Sequence, residues 1–296
     1  MQKVAKEILK RIYKKRPKEA KKYDFGLLLI IGGSKFYSGS PALSAMAAFR
    51  AGVDMVQILA PERPADIIAS FSPNFATFPL KGDFLTSKHL PLLINMTEKA
   101  QKVAPGKVAV VIGGGIGREK ETQKAIIGYL SQISLPVVID ADAIYAVSQK
   151  KEIISEKKFL ITPHSYEFFI LTQKKVLGLL LEKKIELVRK ETQKLKTTIL
   201  LKGNIDIISD GRHPPTAPKT ALNKTGSPFM TVGGTGDTLA GIAGALLARG
   251  ANPFEAALAA AYINGLAGER AAGKFGESLT ATDLIEAIPE VIITNN

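Results

Sequence analysis

Residues 232–247 read VGGTGDTLAGIAGALL, and Asp237 supplies the one charge among them. A long run of small apolar residues follows the carboxylate, so the chain is about to become a helix at that point. An acid at a helix start gains about 0.3–1 kcal/mol from the macrodipole, but Ser or Thr would cap the turn as well. The glycines ask for more. Gly233, Gly234 and Gly236 let the backbone turn sharply and leave N–H groups facing outward. Bare amides at a helix N-terminus form an anion site. A carboxylate beside an anion site is self-defeating unless it has a task. Taking a proton from a hydroxyl while a phosphoryl group arrives on the amides would be such a task.

Outward from this stretch, short apolar runs alternate with helical patterns. Strands are expected at 26–33, 53–61, 107–114, 136–143, 158–164, 197–203 and 205–209, the last two pairing nearby. Helices are expected at 41–52, 121–133, 179–196, 236–249, 253–272 and 282–290. The alternation predicts an α/β fold, a mostly parallel sheet with helices on both faces. The strands are continuous apolar runs, which fits burial on both sides. Ligands of such sheets bind beyond the carboxyl ends of the strands. Those ends read IIGGSKFYSG, VIGGGIG, IDADA, ITPHSYE and LKGN, each with glycine, a carboxylate, His or Lys at the edge.

The composition bounds the function. The chain has 296 residues, a hydrophobic share of 46% and no cysteine, which excludes a disulfide framework, thiolate metal sites and a cysteine nucleophile. The formal charge is +13. Residues 1–22 hold ten Lys/Arg against two Glu, an excess of +8, which leaves about +5 for the rest. Such a segment is read as a solvated lead-in helix or arm (residues 1–25) ahead of one domain (26–296), with nucleic-acid binding as the competing reading. No aromatic-rich basic motif supports nucleic acid as a partner. No apolar run suggests a signal peptide or a spanning helix, so no membrane partner is expected and a cytoplasmic location is. A P-loop is absent, since no GxxxxGK[ST] occurs, and VIGGGIG at 111–117 is not GxGxxG. The three histidines, His89, His164 and His213, show no metal-ligand spacing, and no protein-only metal site is expected.

The segments LLIIGGSKFYSGSPALSAMAAFRAG, VIGGGIG, VIDADA, LITPH, LLKGN, NKTGSPFM and GGTGDTLAGI, in that order, resemble the NAD(P)H-hydrate dehydratase family. This is the carbohydrate-kinase-related domain of YjeF-type proteins, a branch of the ribokinase-like fold. The resemblance covers most of residues 26–268. It implies a ribokinase-like three-layer sandwich. It also implies ADP-dependent repair of NADH or NADPH hydrate, NADHX or NADPHX: the C6 hydroxyl is phosphorylated, then phosphate is eliminated. ATP replaces ADP in eukaryotic types. Mg²⁺ would bridge nucleotide oxygens, and a homotetramer is common in the family.

Residue by residue, the resemblance assigns Asp237 as base, with Gly234, Thr235 and Gly236 as the hole for the transferring group. Gly39, Ser40, Gly115, Asp140 and His164 would meet the hydrated dinucleotide. Lys202, Gly203, Asn204, Ile205, Asp206, Asn223 and Gly236 would meet the adenine nucleotide. The chain departs from the family at Ser40, where many relatives have alanine. It departs again at Ser165 and Tyr166, after His164, where Pro and Gly are usual. Glu167 is retained, and Asp142 is expected to start a helix. Lys224 and Ser227 also differ from the usual loop. No fused epimerase is expected, because the kinase-like pattern begins by residue 26. The alternative is a ribokinase-like small-molecule kinase, using ATP on a vitamin precursor or sugar; the same acid and hole would serve both.

Overall fold

The computed structural model describes residues 2–4, 6–212 and 219–295, so His213 lies outside the described residues. The strands are β1 (Gln2–Lys3), β2 (Leu27–Ile31), β3 (Met55–Pro61), β4 (Ala76–Leu80), β5 (Val108–Ile112), β6 (Val137–Ile139), β7 (Phe159–Ile161), β8 (Thr198–Leu201), β9 (Asp206–Asp210) and β10 (Lys219–Asn223). They form one sheet in the order β1-β10-β9-β8-β7-β6-β5-β2-β3-β4. From β2 to β8 every neighbouring pair is parallel, and β9 turns antiparallel to both β8 and β10.

The helices are α1 (Glu7–Ile12), α2 (Gly39–Arg50), α3 (Glu62–Phe71), α4 (Leu90–Val103), α5 (Lys120–Gln132), α6 (Asp142–Ser148), α7 (Ser165–Thr172), α8 (Leu181–Leu195), α9 (Thr235–Ala248), α10 (Pro253–Phe275) and α11 (Ala281–Asn295). Alternation along β2 shows how the layers divide. Leu28 and Ile30 join a core with α1, α2, α9, α10 and α11. Leu27, Leu29 and Ile31 point the other way, into a core with α4, α5, α6, α7 and α8. All five residues are buried, as a doubly covered parallel strand requires.

Several elements differ from the sequence expectation. The helix expected from residue 41 begins at Gly39, and the one expected to stop near 290 continues to Asn295 through Pro289. Buried Ile285, Ile288 and Val291 anchor α11 on both sides of the proline, so losing one N–H does not end it. The strand expected at 136–143 is only Val137–Ile139; Asp142 does open the next helix, with its carboxylate accepting from Gly117 N–H at 3.1 Å. α3, α4, α7, β1, β4 and β10 had no counterpart in the expected elements.

The basic N-terminal segment lies against the domain. Ile8 and Leu9 are buried, Tyr13 Oη donates to Ala51 O at 3.0 Å, and Arg16 pairs with Asp54 at 3.0 Å. The backbone of β1 pairs in parallel with β10, Gln2 opposite Ala221, and so covers one margin of the sheet. At the other margin β4 carries Pro79, in register with Ala60.

Two features position the site. The chain leaves β2 toward β3 and β4 but leaves β5 toward β6, so the loops after β2 and β5 diverge and open a crevice between them. Gly33 N–H donates to Gly114 O at 2.9 Å across its floor. Second, glycines let α9 approach α2 at Gly241 and the sheet at Gly244. A Cβ on Gly241 would lie 2.1 Å from Ser44 O, and one on Gly244 would lie 2.4 Å from Val111 Cγ2. Gly241→Ala therefore forces backbone apart and is expected to cost roughly 3 kcal/mol, read as a lower denaturant midpoint at an unchanged slope. A midpoint equal to wild type would mean that the two helices separate freely.

Candidate active site

The carboxyl-end crevice receives the start of α9. Gly234 caps the helix at φ +97°, and a Cβ there would meet Leu43 Cδ1 at 2.6 Å and Ala281 Cβ at 2.8 Å. Glycine is required on both counts. Thr238 N–H bonds Gly234 O at 3.0 Å. The amides of Thr235, Gly236 and Asp237 come before that first helical bond and have no carbonyl a turn behind them in the helix. They form the anion-binding end expected from the sequence. Thr235 contributes backbone only, because its hydroxyl turns inward and donates to Met230 O at 2.8 Å. Buried Asn264 steadies this turn, with Oδ1 2.7 Å from Thr238 Oγ1 and Nδ2 donating to Thr235 O.

Asp237 stands in the first turn of α9, against α2. Ser40 Oγ donates to Asp237 Oδ1 at 2.5 Å, and Ser44 Oγ donates to the Asp237 carbonyl at 2.9 Å. Gly114 borders the same carboxylate: a Cβ there would lie 3.0 Å from Asp237 Oδ1 and 3.1 Å from Ser40 Oγ. Burial pushes the Asp237 carboxyl up to about 6, and the charge of Asp140 adds to the rise; the Ser40 hydrogen bond and Lys202 oppose it. A base must be ionised to act, so activity is expected to fall as pH drops through about 6. Ser40→Ala removes a stabilising donor and moves that acid limb upward. A limb that stays in place in a pH–rate profile of this variant would show that the hydroxyl does not tune the acid.

Beneath Asp237 lies a buried ionic cluster. Lys202 follows β8 and donates Nζ to Asp140 Oδ1 at 2.9 Å, with Glu167 Oε2 at 3.8 Å. Asp140 is buried and also accepts from Thr162 Oγ1 at 2.7 Å. Burial works against the Lys202 charge, but Asp140, Glu167 and Asp237 together outweigh it and hold its pKa above the ordinary value. Burial raises the Glu167 carboxyl against the pull of Lys202. A Cβ on Gly236 would lie 3.6 Å from Lys202 Nζ, so the ammonium lies below the α9 amides.

A second polar cluster lies where β9 begins. Asp206 and Asn223 are register partners on β9 and β10. Asn223 Nδ2 donates to Asp206 Oδ2 at 3.0 Å and to Ala261 O at 3.2 Å, and Gly203 N–H donates to Asp206 Oδ1 at 3.1 Å. Burial pushes Asp206 up to about 6, against the Asn223 and Gly203 hydrogen bonds and Lys202. Gly203 and Asn204 are exposed beside it, and Ile205 packs partly into the core.

The structure thus brings together Ser40, Gly115, Asp140, Lys202, Gly234, Gly236 and Asp237. Gly115, at φ +63°, presses on Tyr37 and Ser40, where a Cβ would lie 2.8 Å and 3.3 Å from their Cβ atoms. Gly39 is exposed with open space around it. His164 is exposed too, but its ring is engaged in capping α7. Nδ1 accepts from the N–H groups of Tyr166 at 3.1 Å and Glu167 at 3.4 Å, while Nε2 lies 3.4 Å from Glu167 Oε1. Glu167 returns a hydrogen bond to His164 N–H at 2.9 Å. This exchange fixes the loop although Ser165 and Tyr166 replace the family's Pro and Gly. Sequence reasoning left Ser44, Gly114 and Thr162 unassigned, and gave Glu167 no task. Thr162 and Glu167 flank His164 in LITPHSYE, and that clustering was their only signal. Among the described residues no three His, Asp or Glu side chains group to hold a metal by themselves.

Comparisons with known proteins agree with this architecture. The profile of the family described as NAD(P)H-hydrate dehydratase matches residues 28–290. A bifunctional NAD(P)H-hydrate repair enzyme of Pyrobaculum aerophilum is 42% identical over 94% of this chain, which spans about half (52%) of that protein. The chain spans similar shares, 51% and 53%, of two further bifunctional relatives. An ADP-dependent (S)-NAD(P)H-hydrate dehydratase of Cenarchaeum symbiosum is 38% identical, the match covering 94% of this chain and 92% of that one. A solved ribokinase-like superfamily protein of Enterococcus faecalis superposes with a TM-score of 0.82 at 26% identity, over 99% of this chain and 96% of its own. The fold is ribokinase-like, and the chain belongs to the NAD(P)H-hydrate dehydratase family.

Proposed function

We propose that the chain is an ADP-dependent (S)-NAD(P)H-hydrate dehydratase. The single observation that carries this reading is a half-buried carboxylate, Asp237, set beside the open amides of Thr235 and Gly236 at the crevice. The family match over residues 28–290 and the name of the 38%-identical relative support the substrate and the donor.

The chemistry follows from the geometry. Asp237 takes the proton of the C6 hydroxyl of the hydrated nicotinamide. The freed oxygen attacks the terminal phosphorus of ADP; a C–O–P linkage forms, the bridging P–O bond breaks and AMP leaves. The amides of Thr235 and Gly236 face the charge that gathers on the transferring oxygens, where fixed donors act most strongly. Lys202, held by Asp140 and Glu167, adds positive potential below them. Phosphate then departs from C6 with the C–O bonding electrons, the C5 proton passes to water, and the C5–C6 double bond of the ring returns. Gly39, Ser40 and Gly115 line the open side that would take the dinucleotide; Gly203, Asn204, Ile205, Asp206 and Asn223 line the side that would take the nucleotide. His164 acts there by shaping the loop and through its exposed ring.

The donor set also fits Mg²⁺ carried on phosphate oxygens. Mg²⁺ is usually held by one or two carboxylates plus substrate phosphates. Asp140 and Glu167 are the carboxylates nearest the α9 amides, and because Lys202 already engages both, the ion would be held chiefly by the phosphates. When bound, the ion would neutralise phosphate charge. We also propose a cytoplasmic location, compatible with a chain that lacks cysteine, and a homotetramer, by family likeness. Among the described residues no helix is long and apolar enough to cross a membrane.

The test is direct. Purified chain with NADH hydrate, Mg²⁺ and ADP should restore the reduced-nicotinamide absorbance band and release AMP and phosphate in equal amounts. No recovery with either ADP or ATP would overturn the reading in favour of a kinase of the same fold.

A further inference from the structure

α2 and α9 each begin at the crevice, at Gly39 and Thr235, and each ends at a basic residue or next to one, Arg50 and Arg249. The twelve helical steps from Asp237 to Arg249 span about 18 Å, so the two ends of α9 cannot share a ligand site. At the far end the N-terminal segment folds across α2, α9 and α11 and leaves two adjoining cavities of about 300 Å³ each. Lys14 and Arg249 line both. Arg16, Arg50 and Ile293 complete one wall; Arg11 and Lys107 stand on the other.

The charges there do not balance. Arg16 pairs with Asp54 at 3.0 Å, Arg50 with Glu286 at a loose 3.4 Å, and Arg11 with Glu255. Asp24, the remaining carboxylate of the lining, accepts from Lys21 N–H. Among the described residues that leaves Lys14, Lys107 and Arg249 with no carboxylate within ion-pair distance. Helix-end carbonyls account for part of this, because cations at helix C-termini are favoured. Lys107 Nζ donates to Arg249 O at 2.8 Å and Arg249 Nη1 to Gly52 O at 2.8 Å. They do not account for Arg249 Nε, which is buried without a hydrogen-bond partner. A buried N–H without a partner is costly, and the guanidinium lies over the Tyr13 ring at 4.8 Å and the Phe25 ring at 5.1 Å, which hold it at the edge of the cavities. Burial depresses the Arg249 pKa and the charge of Arg16 adds to the fall, while Tyr13 and Asp54 oppose it.

We propose that this paired cavity is a second anion site, built for a phosphate-bearing small molecule, at the opposite end of α2 and α9 from the crevice. Phosphate matches it because Lys14, Lys107 and Arg249 carry no carboxylate of their own, and ammonium and guanidinium groups both bind phosphate oxygens. The apolar rim of Ile292 and Ile293 leaves room for an uncharged remainder of the ligand.

The probe is inorganic pyrophosphate, titrated calorimetrically into the full chain saturated with ADP, with Lys14→Ala/Arg50→Ala as the variant. Both side chains are exposed, and neither touches the crevice, so folding and basal turnover should be unchanged. The wild type should bind one pyrophosphate with a Kd below about 1 mM, the variant at least about tenfold more weakly, and added salt should weaken the wild type. Equal binding by the two proteins, or no wild-type binding under ADP, would overturn the proposal. If ADP itself fails to bind, the wild type should show one pyrophosphate site more than the variant, so failure of the dehydratase reading would leave this result legible.

Discussion

Asp237→Asn will bind ADP as the wild type does and lose about 10²–10⁴-fold in turnover, the usual worth of a positioned general base. Asparagine keeps the shape and can still accept from Ser40 Oγ, but it cannot take a proton. The loss should fall on kcat and kcat/KM together, as expected for a group that acts in the transition state. The same variant should be more stable. The folded-state pKa of Asp237, about 6, lies above its ordinary carboxylate value. The native state therefore holds a proton that the unfolded chain releases, and stability falls as pH rises across the window from about 4 to 6. Above that window the ionised group costs about 2–3 kcal/mol, which asparagine would recover at neutral pH. A rise in Tm together with a collapse in rate is the signature of an acid kept for chemistry. Near-normal turnover would reduce Asp237 to a helix-start residue and remove the central support of the proposed function.

Lys202→Met is the second large effect, and it acts on the fold as well as on the reaction. Methionine fills the volume but leaves Asp140 and Glu167 buried with no opposite charge, since Lys202 is the cation that faces both. Breaking a buried pair in this way costs about 3–5 kcal/mol. For a chain of this size that is a fall in Tm of roughly 10 °C. Adding Asp140→Asn to Lys202→Met should restore part of the stability by removing one stranded charge, but none of the turnover, because the positive potential below the α9 amides stays lost. If the single variant melted with the wild type, Lys202 would be solvated and its ion pairs would be incidental.

These contacts mark where the sequence could be read and where it could not. The sheet was legible because β2, β5, β6, β7 and β8 are continuous apolar runs, and the polar residues at their ends could be listed in order. The start of α9 was legible because glycine, threonine and aspartate carry local rules for turns and caps. The role of Ser40 was not. Its partner Asp237 is 197 residues away, and no local pattern records that α2 and α9 meet through Gly241 and Ser44 O. Lys202 could be placed at a sheet edge, but its pairing with Asp140 depends on β6, β7 and β8 lying side by side, a property of strand order. α3, α4 and β4 were harder to read because each carries a proline, in ERPADIIASF, LPLLINMTEKAQKV and ATFPL, a residue that locally signals a break. His164 was read as a ligand contact, and its additional duty as a cap came from Glu167 reaching back to it, a reciprocal exchange across three residues.

The two outermost strands bear on behaviour at high concentration. An open ladder of amides and carbonyls recruits strands from other molecules, and long flat borders of that kind seed aggregates. On one flank this protein spends two residues of β1 to occupy the donors and acceptors of β10. On the other, Pro79 lacks the hydrogen that a recruit would need, and it sits where only an unshared border tolerates it. One border is thereby shortened to a two-residue strand and the other is interrupted by proline. Clipping the first few residues should therefore show itself as turbidity on standing before it shows as lost catalysis.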